Sequence, residues 1–81
     1  MDITEVIVYQ DGRPSKGRYV KLEFPGVFSG GFTRAFLTDS DGVARVEHSH
    51  HGKVYVYVDG NHSSHGTTDY APGRIIVQLK S

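Results

Sequence analysis

The chain has 81 residues, with nine Lys plus Arg balanced by nine Asp plus Glu, and it has neither cysteine nor tryptophan. That length is a single domain, residues 1–81, near the lower size at which an apolar core alone holds a fold together. Balanced charge leaves no electrostatic footprint for nucleic acid or an anionic membrane surface. The missing cysteine excludes disulfides, thiolate zinc sites and thiol catalysis, and no apolar run approaches the ~20 residues that span a bilayer.

The N-terminus, Met1-Asp2-Ile3-Thr4-Glu5, carries acid where a signal peptide carries base and leads directly into a strand. The location this leaves is open: cytoplasmic by default, or reached by export without a signal of this kind, or by release from a longer protein. Along the chain no segment sustains a 3.6-residue apolar period, while a period of two recurs. Ile3 to Tyr9 is the first strand, and its density of β-branched residues predicts two largely covered faces. Asp11 to Gly17, with two glycines and Pro14, is a break. Arg18 to Phe24 then alternates, with Val20, Leu22 and Phe24 on one face and Tyr19, Lys21 and Glu23 on the other. Pro25 ends it, and the glycine-rich stretch to Gly31 carries two exposed-looking apolar residues, Val27 and Phe28.

Phe32 to Thr38 and Val43 to His48 read as a hairpin closed by Asp39-Ser40-Asp41-Gly42, with Ala44 and Val46 inward. The acidic side chains can bond nearby backbone groups there, and Gly42 supplies a positive φ without Cβ strain. Lys53 to Val58 places Val54, Val56 and Val58 on one face and Tyr55 and Tyr57 on the other. After a polar stretch, Asp59 to Asp69, a short strand is expected near Thr67 to Tyr70. A turn at Tyr70-Ala71-Pro72-Gly73 precedes the closing strand Arg74 to Lys80, with Ile75, Val77 and Leu79 inward. Short strands with turn signals about every ten residues predict an all-β, seven-stranded, antiparallel β-sandwich of Greek-key type.

Gly12, Pro14 and Gly17 precede a strand carrying Val20 and Leu22, and Thr38, Asp39, Asp41, Gly42, Ala44 and Val46 follow. That order resembles the carboxypeptidase regulatory-like and transthyretin-like domains, a fold also described as Ig-like, over about Val6 to Leu79. These are turn and core motifs, so the resemblance implies architecture more than chemistry. It implies an accessory or adhesive module beside other domains, mostly outside the cytoplasm. It also implies no hydroxyisourate hydrolase activity. Those enzymes share a C-terminal Tyr-Arg-Gly-Ser and an N-terminal catalytic His, whereas this chain ends Gln78-Leu79-Lys80-Ser81 and has no His before His48.

Two groups of residues carry functional expectations. Tyr55 and Tyr57, with Tyr19 and Tyr9 on neighbouring strands, form either a tyrosine-bearing surface that docks protein or sugar, or cross-strand pairs within a second partly buried face. Phe28 is a further contact candidate. The five histidines fall into two clusters, His48, His50 and His51 before the Lys53 strand and His62 and His65 after it. Imidazoles at i, i+2 on extended chain share a face and can bind zinc or another divalent metal, or they are solvated turn residues. A six-residue strand at ~3.3 Å per residue separates the clusters by about 20 Å, which argues against one shared site. With five His the net charge turns positive below about pH 6.5.

A calcium loop at Asp39 to Gly42 is not supported, because Leu37 and His48 occupy the positions where an EF-hand needs Asp and a bidentate Glu. Ser63, Ser64 and His65 lie near Asp59 and Asp69 but without a nucleophile elbow. The expectation is thus a small non-catalytic accessory or protein-interaction module with no cofactor, a monomer or a weak homodimer through its edge strands. The alternative is a protein that binds a divalent metal or small ligand through its histidine loops.

Overall fold

Nine strands follow one another in the computed structural model, which describes residues 1–25, 31–63 and 69–80, apart from the Ser63 side chain. They are β1 (Asp2–Gln10), β2 (Arg13–Pro14), β3 (Tyr19–Glu23), β4 (Phe36–Leu37), β5 (Val43–His48), β6 (Gly52–Val58), β7 (Asn61–Ser63), β8 (Asp69–Ala71) and β9 (Arg74–Leu79). Among the described residues there is no helix, so none that is long and apolar enough to cross a membrane.

The strands form two sheets. In the first, β1 lies between β9 on one edge and, in succession along the other, β5 and β2. In the second, β6 lies between β3 and β7, β4 is added outside β3, and β8 pairs with the first residues of β6. Alternation decides which residues meet between the layers. Val6 and Val8 of β1, Ala44 and Val46 of β5, and Ile75 and Val77 of β9 face Val20, Leu22 and Phe24 and the Val54, Val56 and Val58 row of β6. Valine dominates because a side chain branched at Cβ packs on a pleated surface with little rotamer entropy to lose. The inward sets read from Arg18 to Phe24, Val43 to His48, Lys53 to Val58 and Arg74 to Lys80 are all found there, with Leu79 partly buried at the margin.

The first strand is fully buried on one face only, its other face being half-buried at Glu5, Ile7 and Tyr9. Thr4, Val6 and Val8 are buried, while Ile3 is 51% exposed on the other face. Nor is every neighbour antiparallel: β9 runs parallel to β1, with Val6 opposite Ile75 and Val8 opposite Val77. The chain reaches β9 from β8, a strand of the other sheet, and so returns after crossing between layers rather than through a hairpin. Alternation of side chains is the same in either direction, which is why it leaves strand direction open. The strand count among the described residues also exceeds the expected seven, through β2 in the expected break at Asp11 to Gly17 and β7 in the expected polar stretch. The expected strand Phe32 to Thr38 is reduced to the two residues of β4.

The acidic turn at residues 39–42 does not close a hairpin either. β4 pairs with β3 and β5 pairs with β1, so the turn carries the chain from the second sheet to the first. Its local bonding is as the residues suggest. The Asp39 carboxylate accepts from the amides of Asp41 and Val43, and the Asp39 carbonyl accepts from the Gly42 amide. Gly42 has φ +78, and a Cβ there would lie 2.6 Å from the Val8 carbonyl oxygen. The true two-residue hairpins are elsewhere, at Asp11-Gly12 between β1 and β2 and at Asp59-Gly60 between β6 and β7. All four residues have positive φ, the type I′ geometry that matches strand twist.

Gly42→Ala is expected to cost about 3–4 kcal/mol, since it combines left-handed strain with a backbone clash. Gly17→Ala has a similar φ but open space around the new methyl, so it should cost only about 1–2 kcal/mol. Urea denaturation of both variants measures the difference, and equal losses would show that the approach to Val8 is unimportant.

Candidate functional site

The outward residues of β3, β6 and β7 share one face because their registers align. Lys21 stands opposite Tyr57, Tyr57 opposite His62, and Glu23 opposite Tyr55. Phe32 joins through an isolated bridge to Glu23. The result is a row of rings across the sheet: Phe32 to Tyr57 at 5.4 Å between centroids, Tyr57 to His62 at 5.4 Å and His62 to Tyr55 at 5.1 Å. The Lys21 ammonium lies 4.7 Å from the Phe32 centroid and the Lys53 ammonium 5.3 Å from that of Tyr55, within cation–π reach. At the end of β3, Tyr19 stands opposite Leu37 on the same face, 57% and 55% exposed.

This face is partly packed and partly open. Tyr55 and Tyr57 are half-buried by their neighbours, whereas Phe32 is 48% exposed. The Tyr57 hydroxyl donates to Glu23 Oε1 at 2.9 Å. That bond, with some burial and the charge of Glu23, raises the Tyr57 phenol above its ordinary 10.0. Tyr19 is positioned through its backbone: its amide donates to Asp59 Oδ1 at 3.0 Å, and Asp59 Oδ2 accepts from Arg18 at 2.8 Å. The Arg18 bond and then the Tyr19 amide hold the Asp59 carboxyl below 3.8.

Of the tyrosine surface expected from the sequence, Tyr19, Tyr55 and Tyr57 are thus together. Tyr9 is not, since it lies on the outer face of the other sheet. Phe28 lies outside the described residues. Phe32, Leu37 and Lys21 belong to the face without having been singled out, and His62, expected only as a metal ligand, belongs to it as well. Lys21 was legible, being in phase with Tyr19 and Glu23.

His48, His50 and His51 stay together, the first two around Phe24 and the His48 and His51 rings 6.4 Å apart, while His62 lies on the tyrosine face. His48 is 4% exposed, in phase with Ala44 and Val46, and is no solvated turn residue. Its Nδ1 lies 2.8 Å from the His50 carbonyl, an acceptor, so Nδ1 carries a proton. In the neutral ring Nε2 then accepts from the buried Thr4 hydroxyl at 2.7 Å. Both nitrogens are committed within the fold, and the ring packs against Phe24 with centroids 5.4 Å apart. His51 pairs with the Asp2 carboxylate, which lowers Asp2 from its ordinary 3.8. His50 is exposed beside Phe24, His62 stands among the tyrosines, and His65 lies outside the described residues, as does Ser64. Among the described residues no three His, Asp or Glu side chains converge as ligands of one ion. A cavity of about 240 Å³ lies at the end of β5, lined by Met1, Arg34, Phe36, Glu47, His48 and Ser49.

Set against known proteins, the chain matches no family model and no curated protein.

Two titrations follow from this geometry. A carboxyl depressed on folding contributes stability in full above its unfolded value, and loses it as pH falls through the folded one. The gap in Tm between the wild type and Asp59→Asn should therefore narrow as pH drops from about 5 to about 3. A constant gap would mean that ionisation of Asp59 is irrelevant to stability. For the phenol, Glu23→Gln removes the anionic acceptor, so Tyr57 should titrate at lower pH than in the wild type. NMR of the Tyr57 ring carbons reads this directly, and an unchanged midpoint would remove Glu23 as the cause.

Proposed function

We propose that the protein is a small non-catalytic interaction module that docks a protein partner through the outer face of its second sheet. The observation that carries this reading is the ring row Phe32–Tyr57–His62–Tyr55 beside the exposed Tyr19 and Leu37. Aromatic side chains with polar tips are enriched at the centres of interfaces, because they bury large area with little rotamer entropy to lose. Lys21 and Lys53 flank the rings, and the carboxylate of Glu23 is engaged by Tyr57. The face therefore favours a partner that brings carboxylates beside apolar side chains. The architecture we read behind it is a Greek-key β-sandwich built on the seven strands of three or more residues, β1, β3 and β5 to β9. The resemblance of the turn and core motifs to carboxypeptidase regulatory-like and transthyretin-like domains supports an accessory role, with location left to the partner.

A docking face is preferred to a metal site on the histidines because His48 already spends both ring nitrogens on Thr4 and His50. A zinc titration followed by His resonances separates the two readings. Saturable shifts confined to His50 and His51, or to His62 and His65, with a raised Tm, would favour the metal.

Once a partner is isolated on the immobilised chain, Tyr57→Ala should weaken its binding about tenfold or more and Tyr55→Ala by somewhat less. Ile76→Ala, on the outer face of the first sheet, should leave it unchanged. Calorimetry on folded variants measures this, and equal affinity for the wild type and both tyrosine variants would overturn the assignment.

A further inference from the structure

β5 is an outermost strand of the first sheet, paired on one side with β1. In an antiparallel ladder alternate residues turn both backbone groups toward the same neighbour. The Gly42 carbonyl accepts from the Val8 amide at 2.8 Å. With Val6 opposite Ala44 and Thr4 opposite Val46, the even-numbered residues of β5 therefore face β1, and Val43, Arg45 and Glu47 turn their backbone groups outward. An independent contact agrees: the Val43 amide donates to Asp39 Oδ1 and the Val43 carbonyl accepts from the Asp39 amide, both at 3.0 Å on that outward edge. Val43 is thereby capped. Among the described residues no hydrogen bond reaches the outward backbone groups of Arg45 and Glu47.

We infer that this edge pairs with the same edge of a second copy, antiparallel, about a two-fold axis at Val46. With Val43 capped, Arg45 and Glu47 are the outward residues left to exchange backbone bonds, and pairing either with itself or with the other gives three registers. Arg45 against itself sets like charges face to face and calls on the capped Val43. Glu47 against itself opposes two carboxylates. Arg45 against the partner's Glu47 uses both free residues twice, forms four N–H···O bonds, and sets opposite charges across the strand at both sites.

That register also extends a charge row already present. Arg74 lies 3.1 Å from one oxygen of Glu5, and Arg45 Nε lies 3.6 Å from the other. The partner's Glu47 next to Arg45 continues the alternation Arg74, Glu5, Arg45, Glu47 across two subunits. Exposed charges on an edge strand more often serve to prevent pairing, and the self-complementary order of these two is what favours a second copy here.

Sedimentation equilibrium between about 10 µM and 1 mM should show the mass doubling, as suits a small, polar interface. R45E and E47R should each weaken the dimer about tenfold or more, and the double variant R45E/E47R should restore it. An equimolar mixture of R45E with E47R should form a heterodimer where each alone stays monomeric, which also shows that neither variant has merely unfolded. In the wild type, amide exchange at Arg45 and Glu47 should slow with concentration while Ala44 and Val46 stay unchanged. A wild type that is monomeric at about 1 mM, a dimer indifferent to the charge swaps, or a dimer without that exchange pattern would each overturn the pairing.

Discussion

The two-layered arrangement depends on the place where the chain leaves the second sheet for the first, and there the backbone of Gly42 lies directly against the carbonyl of Val8. The approach leaves no room for a side chain, and it sets where β5 begins along β1. Every later pair on that ladder, from Val43 opposite Ile7 to His48 opposite Asp2, inherits its register from that point. A slip of one residue would turn Ala44 and Val46 out of the core and Arg45 into it. The same corner is tied from the other layer. Thr38 accepts from the Arg18 amide and donates to the Ser15 carbonyl, while the Arg18 guanidinium reaches Ser15, Gln10 and Asp59. One arginine thus links the first strand, the loop before β3 and the turn after β6.

With the layers held at that corner and by one valine-rich interior, the outer faces take little part in the core and differ in character. On the second sheet the rings of Phe32, Tyr57, His62 and Tyr55 support each other from strand to strand. On the first, Glu5 is shared between Arg45 and Arg74, pairs that are exposed to solvent and weak as stabilisers. Such pairs matter more for which surface can approach than for whether the chain folds.

Period-two alternation made the interior legible, because each inward row is a run of alternate apolar residues that needs no knowledge of partners. It had a further reach: Thr4 is in phase with Val6 and Val8, and His48 with Ala44 and Val46, so these two buried polar residues sit where the pattern puts them. They bond to each other, which is how a hydroxyl and an imidazole are accommodated inside. Polarity alone suggested solvent. The turn at residues 39–42 shows the opposite limit. Asp39 and Gly42 specify the local bend, but the same bend serves a hairpin or a crossover, and the choice is made by which sheet β4 and β5 find. Strand direction was hidden for a related reason, since β9 has the same alternation whether it runs with β1 or against it. The aromatic face was legible in Tyr55 and Tyr57 and incomplete without Phe32, Leu37 and His62, which reach it only through pairing across the sheet.

The aromatic face lies on the second sheet and the β5 edge on the first, so one can be occupied while the other stays free. Pairing through β5 extends the first sheet and leaves the outer face of each second sheet uncovered, so a pair displays two aromatic faces related by the two-fold axis. For a target with two matching sites the second contact becomes intramolecular, and its strength is set by geometry and effective concentration rather than by new contacts. A face that is partly self-packed, with Tyr55 and Tyr57 half-buried by their own neighbours, has modest area to offer one partner. Duplication by a weak symmetric edge raises its effective affinity without enlarging it, and ties that gain to the concentration of the chain itself.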